Sequence, residues 1–220
     1  MQQKTVIFDL DGTLIDSIKD IALATNIVLE ELGFEKHPLD AYQNFVGDGA
    51  LMLLKNALPK KADDTLINNA LQLFKKYYGD RIHKNTHPYE GIYDMLDKLK
   101  KENTTLAVLS NKPHEFTVEF IEYFFKDYPF IEVHGQKENV PKKPNPMGAV
   151  NIAKALEIKQ ENIFFVGDTA TDMLTAKNAG MTSIGVSWGY RKVDELVASG
   201  ADFIADNPNH LVQILIENDI

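Results

Sequence analysis

From about Tyr89 onward, short apolar runs rich in β-branched and aromatic residues alternate with segments of helical periodicity. That alternation leaves little choice of architecture. Strands joined through helices lie parallel, and the helices cover both faces of the sheet. The runs span residues 105–109, 130–133, 163–166, 183–186 and 203–205, and residues 5–8 supply another near the start. Between them Ile92, Met95, Leu96 and Leu99 recur at three- and four-residue spacing, as do Phe116, Phe120, Ile121 and Phe124.

Residues 16–83 read differently, because no segment there carries a convincing strand pattern. Asp16 or Ser17 can cap a helix bearing Ile18, Ile21, Ala22, Val28, Leu29 and Leu32, with Gly33 as its stop. A second helix follows Gly49 and runs into Pro59. A third starts near Asp63 and carries Leu66, Ala70, Leu73, Phe74 and Tyr77. The expected fold class is therefore α/β. A Rossmann-like, mostly parallel sheet flanked by helices is built from residues 1–15 and 84–220, and an all-helical domain is inserted at 16–83.

Composition narrows the function. A formal net charge of -9, with Arg81 and Arg191 the only arginines, argues against general affinity for nucleic acid or anionic membranes. The absence of cysteine excludes disulfides, thiol catalysis and cysteine-based metal sites. Near the N-terminus the apolar stretch from Val6 to Phe8 meets two acids at once, which is not a signal peptide, and no later run is long enough to span a bilayer. A cytoplasmic protein is expected, as a monomer or homodimer.

Three polar clusters follow apolar strands: residues 9–13, 110–112 and 167–172. Parallel sheets bind ligands at the carboxyl ends of their strands, so the architecture would gather these clusters at one edge. In an extended segment the carboxylates of Asp9 and Asp11 point to the same side, and together they could share a magnesium ion. The same residues would equally serve a strand ending in an Asp-Gly turn. Asp168 and Asp172 can lie in the first turn of a helix, where acids favour the helix dipole, or can complete a metal site. Ser110 and Asn111 offer donors for phosphate oxygens or an ordinary helix cap. Lys143 stands in KKPNP, where Pro144 and Pro146 stiffen the chain and start the next helix, while Lys142 reads as a solvated lysine.

The set DLDGTLIDS, LSNK, KPNP and GDTATD, in that order, resembles the four signature motifs of the haloacid dehalogenase-like hydrolase superfamily. The resemblance covers nearly the whole chain, and the helical insert is similar to that family's cap domain. It implies a phosphatase acting on a small phosphorylated metabolite. Asp9 would be the nucleophile and a Mg2+ ligand. Asp11 would be the general acid/base, with its backbone carbonyl on the metal. Thr13, Ser110, Asn111 and Lys143 would serve the phosphoryl group, with Lys143 also offsetting charge beside Asp9. Asp168 would complete the protein ligands of the metal, and Asp172 would support them or bind more weakly.

Asp11 separates the chain from the true dehalogenases, which lack the second acid of the first motif. Sugar-phosphate mutases carry a histidine in the first cap helix at a place that falls near Ile21 here. Phosphonate-cleaving relatives need a cap lysine, for which Lys55 is a candidate by proximity alone. The stretch FVGDGALMLLKNAL and the tail AKNAGMTSIGVSWGYR are similar to phosphoglycolate phosphatases. Gly47 and Gly49 would let the cap backbone approach a small carboxylate, or would simply form a hairpin between cap helices. The alternatives are a broad-specificity phosphatase for sugar phosphates, nucleotides or pyrophosphate, a mutase, and a non-catalytic binding protein on the same fold.

Overall fold

The computed structural model describes residues 4–218. Its main sheet has six strands: β1 (Thr5–Phe8), β4 (Thr105–Pro113), β5 (Phe130–Gln136), β6 (Ile163–Gly167), β7 (Thr182–Val186) and β8 (Phe203–Ala205). Their order is β5-β4-β1-β6-β7-β8, and every pairing is parallel. The chain order reverses around β1, which has β4 on one side and β6 on the other. A crevice at the carboxyl ends of the strands forms at such a reversal.

Alternation along the strands sorts the two faces. Val6 and Phe8 of β1, Leu106 and Val108 of β4, and Phe164 and Val166 of β6 pack into one apolar cluster. Ile7, Ala107, Leu109, Ile163 and Phe165 pack into a second cluster on the opposite face. The first cluster takes in helices α4 (Ile92–Lys101) and α5 (His114–Phe124) and the last helix (Pro208–Glu217). The second is closed by α6 (Met147–Ala155) and α7 (Ala170–Ala179). Each fully buried large side chain, such as Phe165, contributes roughly 2 kcal/mol of hydrophobic stabilisation. That outweighs any single cap or turn and holds the strand ends in register.

Between β1 and β4 the chain forms α1 (Ile18–Glu31), a 3-10 turn (Leu39–Asn44), α2 (Ala50–Ala57) and α3 (Asp64–Gly79). Their buried faces, among them Val28, Leu29, Tyr42, Leu54, Ala70 and Phe74, are continuous with the first apolar cluster. The helices expected after Ser17, Gly49 and Asp63 are all present. Asp63 caps α3 by accepting from the Leu66 N–H. Ser17 occupies the cap position of α1, but its hydroxyl is turned to Asp11 instead.

Two segments that sequence periodicity left out tie this helical unit to the sheet. Short strands β2 (Ile15–Asp16) and β3 (His87–Pro88) pair antiparallel where the chain leaves and returns. They are too short for a period to be read. Beside them Asp20 of α1 accepts from the backbone N–H groups of Asn85 and Thr86, and from both of their side chains, at 2.7–2.8 Å. Among the described residues no helix is long and apolar enough to cross a membrane.

Candidate active site

Asp9 follows the last residue of β1, and its N–H donates to Val166 O of β6 at 2.8 Å. The backbone then turns immediately, with the N–H groups of Thr13, Leu14 and Ile15 all directed at Leu10 O. Asp9 and Asp11 therefore do not remain on one extended strand, and their carboxylates meet different lysines. Asp9 Oδ1 lies 2.8 Å from Lys143 Nζ. Both oxygens of Asp11 lie 2.9 Å from Lys112 Nζ, and Asp11 also accepts from Ser17 Oγ. The two acids, whose spacing would also allow them to share one ion, each have a cation within reach.

Lys143 is buried and bridges Asp9 to Asp172, whose Oδ1 lies 2.6 Å from Nζ. The other oxygen of Asp172 accepts from the N–H and hydroxyl of Thr169, the cap residue of α7. Asp172 thus caps a helix with one oxygen and orients Lys143 with the other. Of the two readings open for Asp168, the first turn of that helix is not the one it adopts: it lies between Gly167, the end of β6, and the cap residue Thr169. Asp168 Oδ2 accepts from the Tyr190 N–H at 2.7 Å, and Oδ1 accepts from Thr13 Oγ1 at 3.4 Å. Thr13 is buried behind Asp168 rather than in the cleft wall. Gly12 makes this closeness possible, since a Cβ there would meet the Asp168 carboxylate at 2.4–2.7 Å.

Asp9, Asp168 and Asp172 each bring a carboxylate oxygen within 4.8 Å of the others, and all three are buried. Burial raises the Asp9 carboxyl to about 7, against the lowering influence of Lys143. Burial, with Asp172 and Asp9 nearby, also pushes Asp168 well above the ordinary carboxylate range. Burial alone would lower Lys143, but the charges of Asp172 and Asp9 outweigh it and hold the ammonium form. One lysine does not balance three converging acids. A hard dication taking oxygen ligands would, and the donor set suits magnesium.

Strand β4 was expected to end at residue 109 and continues to Pro113, past a register irregularity against β5. Ser110, Asn111 and Lys112 consequently belong to the strand, and the cap of α5 is Pro113, so none of the three is a helix cap. The Asn111 amide is committed to backbone: it accepts from Lys143 N and donates to Lys143 O and Gly47 O. It joins the KPNP turn to the loop before α2. Lys142 is exposed, yet its Nζ reaches Asp48 O at 2.7 Å across the same seam.

A cleft of about 520 Å³, including its open mouth, lies between the helical unit and the sheet edge. Asp9, Asp11, Ser110, Asn111 and Lys112 line it from the sheet side, and Gly47, Gly49, Ala50, Leu53 and Phe74 from the helical side. Ile21 also lines it, at the place where a mutase would carry histidine, whereas Lys55 is exposed and does not. Sequence reasoning assigned no role to Lys112 or to Tyr78, whose hydroxyl accepts from Lys112 Nζ at 2.7 Å. The signal for Lys112 was its two-residue offset from Ser110, legible only if the strand is carried through the polar residues.

These features accompany similarity over the full length. The sequence profile of the haloacid dehalogenase-like hydrolases matches residues 6–186. A phosphoglycolate phosphatase of Vibrio parahaemolyticus is 32% identical, covering 96% of this chain and 96% of the relative. One of Vibrio vulnificus is 33% identical over 97% and 96%. The crystal structure of a candidate phosphoglycolate phosphatase from Lactobacillus delbrueckii superposes with a TM-score of 0.90 at 30% identity, over 98% and 99% of the two chains. A match of this extent leaves no part of the sheet or its helical insert outside the relationship, and the chain belongs to the haloacid dehalogenase-like hydrolase family, as a member similar to the phosphoglycolate phosphatases.

Proposed function

We propose that this protein is a magnesium-dependent phosphatase that hydrolyses a small phosphate monoester, 2-phosphoglycolate foremost, through an aspartyl-phosphate on Asp9. The observation that carries the reading is the Lys143 bridge between Asp9 and Asp172, beside Asp168, with Asp9 lining the cleft. Asp9, Asp168 and the Asp11 backbone carbonyl would hold the ion, with Asp172 keeping Lys143 in place. Bound there, magnesium supplies charge neutralisation for the phosphoryl oxygens.

Asp9 attacks phosphorus while the phosphorus–oxygen bond to the leaving alcohol breaks. Lys143 offsets the repulsion between a carboxylate and a phosphate dianion, and Ser110 holds a phosphoryl oxygen. Asp11 delivers a proton to the leaving oxygen, then takes one from the water that cleaves the Asp9 acyl phosphate. Hydrolysis is favoured over the mutase and phosphonate alternatives because Ile21 is not a histidine and Lys55 is exposed, outside the cleft lining.

Residues 16–83 act as the cap in this reading and carry substrate choice. The curated relatives supply the substrate: they are phosphoglycolate phosphatases of nearly the same length. Gly49 and Ala50, at the start of α2, where no side chain caps the helix, line the cleft where a helix N-terminus favours an anion. The test is hydrolysis of a panel of small phosphate esters with magnesium and with chelator. Preferred, metal-dependent turnover of 2-phosphoglycolate supports the reading. Preference for sugar phosphates, nucleotides or pyrophosphate replaces the substrate, and no turnover with magnesium overturns the activity.

A further inference from the structure

We propose that Lys112 and Tyr78 form a carboxylate subsite that selects phosphate esters whose leaving group is a small hydroxy acid. This rests on the phosphatase reading above and gives the substrate class a structural cause.

The charged residues lining the cleft are Asp9, Asp11 and Lys112. Lys143 is held between Asp9 and Asp172 and does not line this cleft. An anionic leaving group entering this cleft therefore meets one cation on its walls. Lys112 is 4% exposed, with its ammonium 4.7 Å from the Tyr78 ring centre and 4.8 Å from that of Phe120. A cation stripped of water in this way interacts strongly with any anion that reaches it.

Its three donors are spent on two oxygens of Asp11 and on the Tyr78 hydroxyl. Holding Asp11 needs one of them. Turning a second N–H from Asp11 to a substrate carboxylate leaves Lys112 where it is. Tyr78 accepts from Lys112 through oxygen, so its own proton is available to the other carboxylate oxygen. Burial, with the charge of Asp11 behind it, keeps that phenol protonated.

Spacing and shape agree. Ser110 and Lys112 are two residues apart on β4 and both line the cleft, so a phosphoryl group at Ser110 places the far end of a two-carbon ester toward Lys112. The remaining walls include Ile21, Val46, Leu53 and Phe74, which give sugar hydroxyls nothing to bond. Tyr78 comes from α3, so the subsite is completed only with the helical unit against the sheet.

The experiment compares 2-phosphoglycolate with ethyl phosphate, which has the same length and no carboxylate. Specificity constants are measured for wild type, Lys112→Met, Lys112→Arg and Tyr78→Phe. Dissociation constants for both esters are measured by calorimetry on Asp9→Asn, alone and combined with Lys112→Met. Lys112→Met is expected to lower the preference for phosphoglycolate over ethyl phosphate by about 10- to 100-fold, as for a lost charged hydrogen bond. Tyr78→Phe shifts it less in the same direction, and Lys112→Arg restores part of it. An equal loss for both esters means that Lys112 only positions Asp11, and overturns the subsite. A wild type that turns over both esters equally also overturns it while leaving the phosphatase reading intact. If no ester turns over, that reading falls, and calorimetry still decides: Lys112→Met must weaken phosphoglycolate alone.

Discussion

Lys143 Nζ stands 2.8 Å from Asp9 Oδ1, a contact between the end of the first strand and a turn more than a hundred residues later. The contact gives a buried carboxylate, raised to about 7 by burial, a permanent counter-charge. It also makes the proposed nucleophile and its electrostatic support separable by mutation.

Asp9→Asn should abolish turnover, by on the order of a thousandfold or more, because an amide is no nucleophile. It replaces a buried carboxylate by a neutral isostere, so the thermal midpoint should hold or rise. Steady-state rates and thermal unfolding on the same preparation check both halves. A variant keeping a tenth of wild-type activity would falsify Asp9 as the nucleophile.

Lys143→Met removes the partner of two buried carboxylates, for which a loss of about 3–5 kcal/mol is expected. Added magnesium should recover more of the lost thermal midpoint in this variant than it adds to wild type, since the ion takes over charge that Lys143 carried. Thermal unfolding with and without magnesium reads this directly. A midpoint indifferent to magnesium in both proteins removes the metal from the Asp9, Asp168 and Asp172 cluster.

Chelation should stop ester hydrolysis and magnesium should restore it. Excess calcium should inhibit, because its larger and looser coordination disturbs in-line geometry. Full activity in chelator would sink the metal proposal for Asp9, Asp11 and Asp168 together.

Asp20 offers a pH-dependent test of how the insert is held. Burial raises its carboxyl, but the hydrogen bonds from Asn85 and Thr86 win and hold it below its ordinary value of 3.8. A carboxyl with a depressed folded pKa stabilises fully above the unfolded value and loses that contribution as pH falls through the folded one. The stability difference between wild type and Asp20→Asn should therefore be flat at neutral pH and shrink below about pH 4. Urea unfolding from pH 7 down to pH 3 measures it, and a difference that grows on acidification contradicts the assignment.

Gly49 has φ +83°, and a Cβ there would lie 2.9 Å from the Asn111 carbonyl oxygen. Gly49→Val should force the start of α2 away from β4 and impair phosphoglycolate turnover far more than turnover of a generic aryl phosphate. Gly47→Val meets its nearest atom at 3.5 Å, so the strain of its φ of +110° is the main cost and the effect should be smaller. The ratio of the two substrates' specificity constants, compared with wild type, is the measurement. Equal losses on both substrates mean that the loop supports closure without reading the leaving group.

The sequence by itself determined the elements whose signals are local. Near-continuous apolar runs at residues 5–8 and 163–166 are enough to predict strands buried on both faces, and those faces became the two apolar clusters. Gly49 and Asp63 marked helix starts because a cap acts within a single turn. Motif order was legible too, since strand-end residues of a parallel sheet converge whatever the loops between them do. Tertiary structure alone decided where β4 ends, because Ser110, Asn111 and Lys112 are polar and lie in a register irregularity between the pairs Leu109–His134 and Pro113–Gln136. It also decided that Asp11 turns to Lys112, and Lys112 in turn to Tyr78, partners that β4 and α3 deliver from different regions of the chain. Such a pairing depends on how a helical insert packs back onto a sheet edge, and no spacing within a motif encodes that distance.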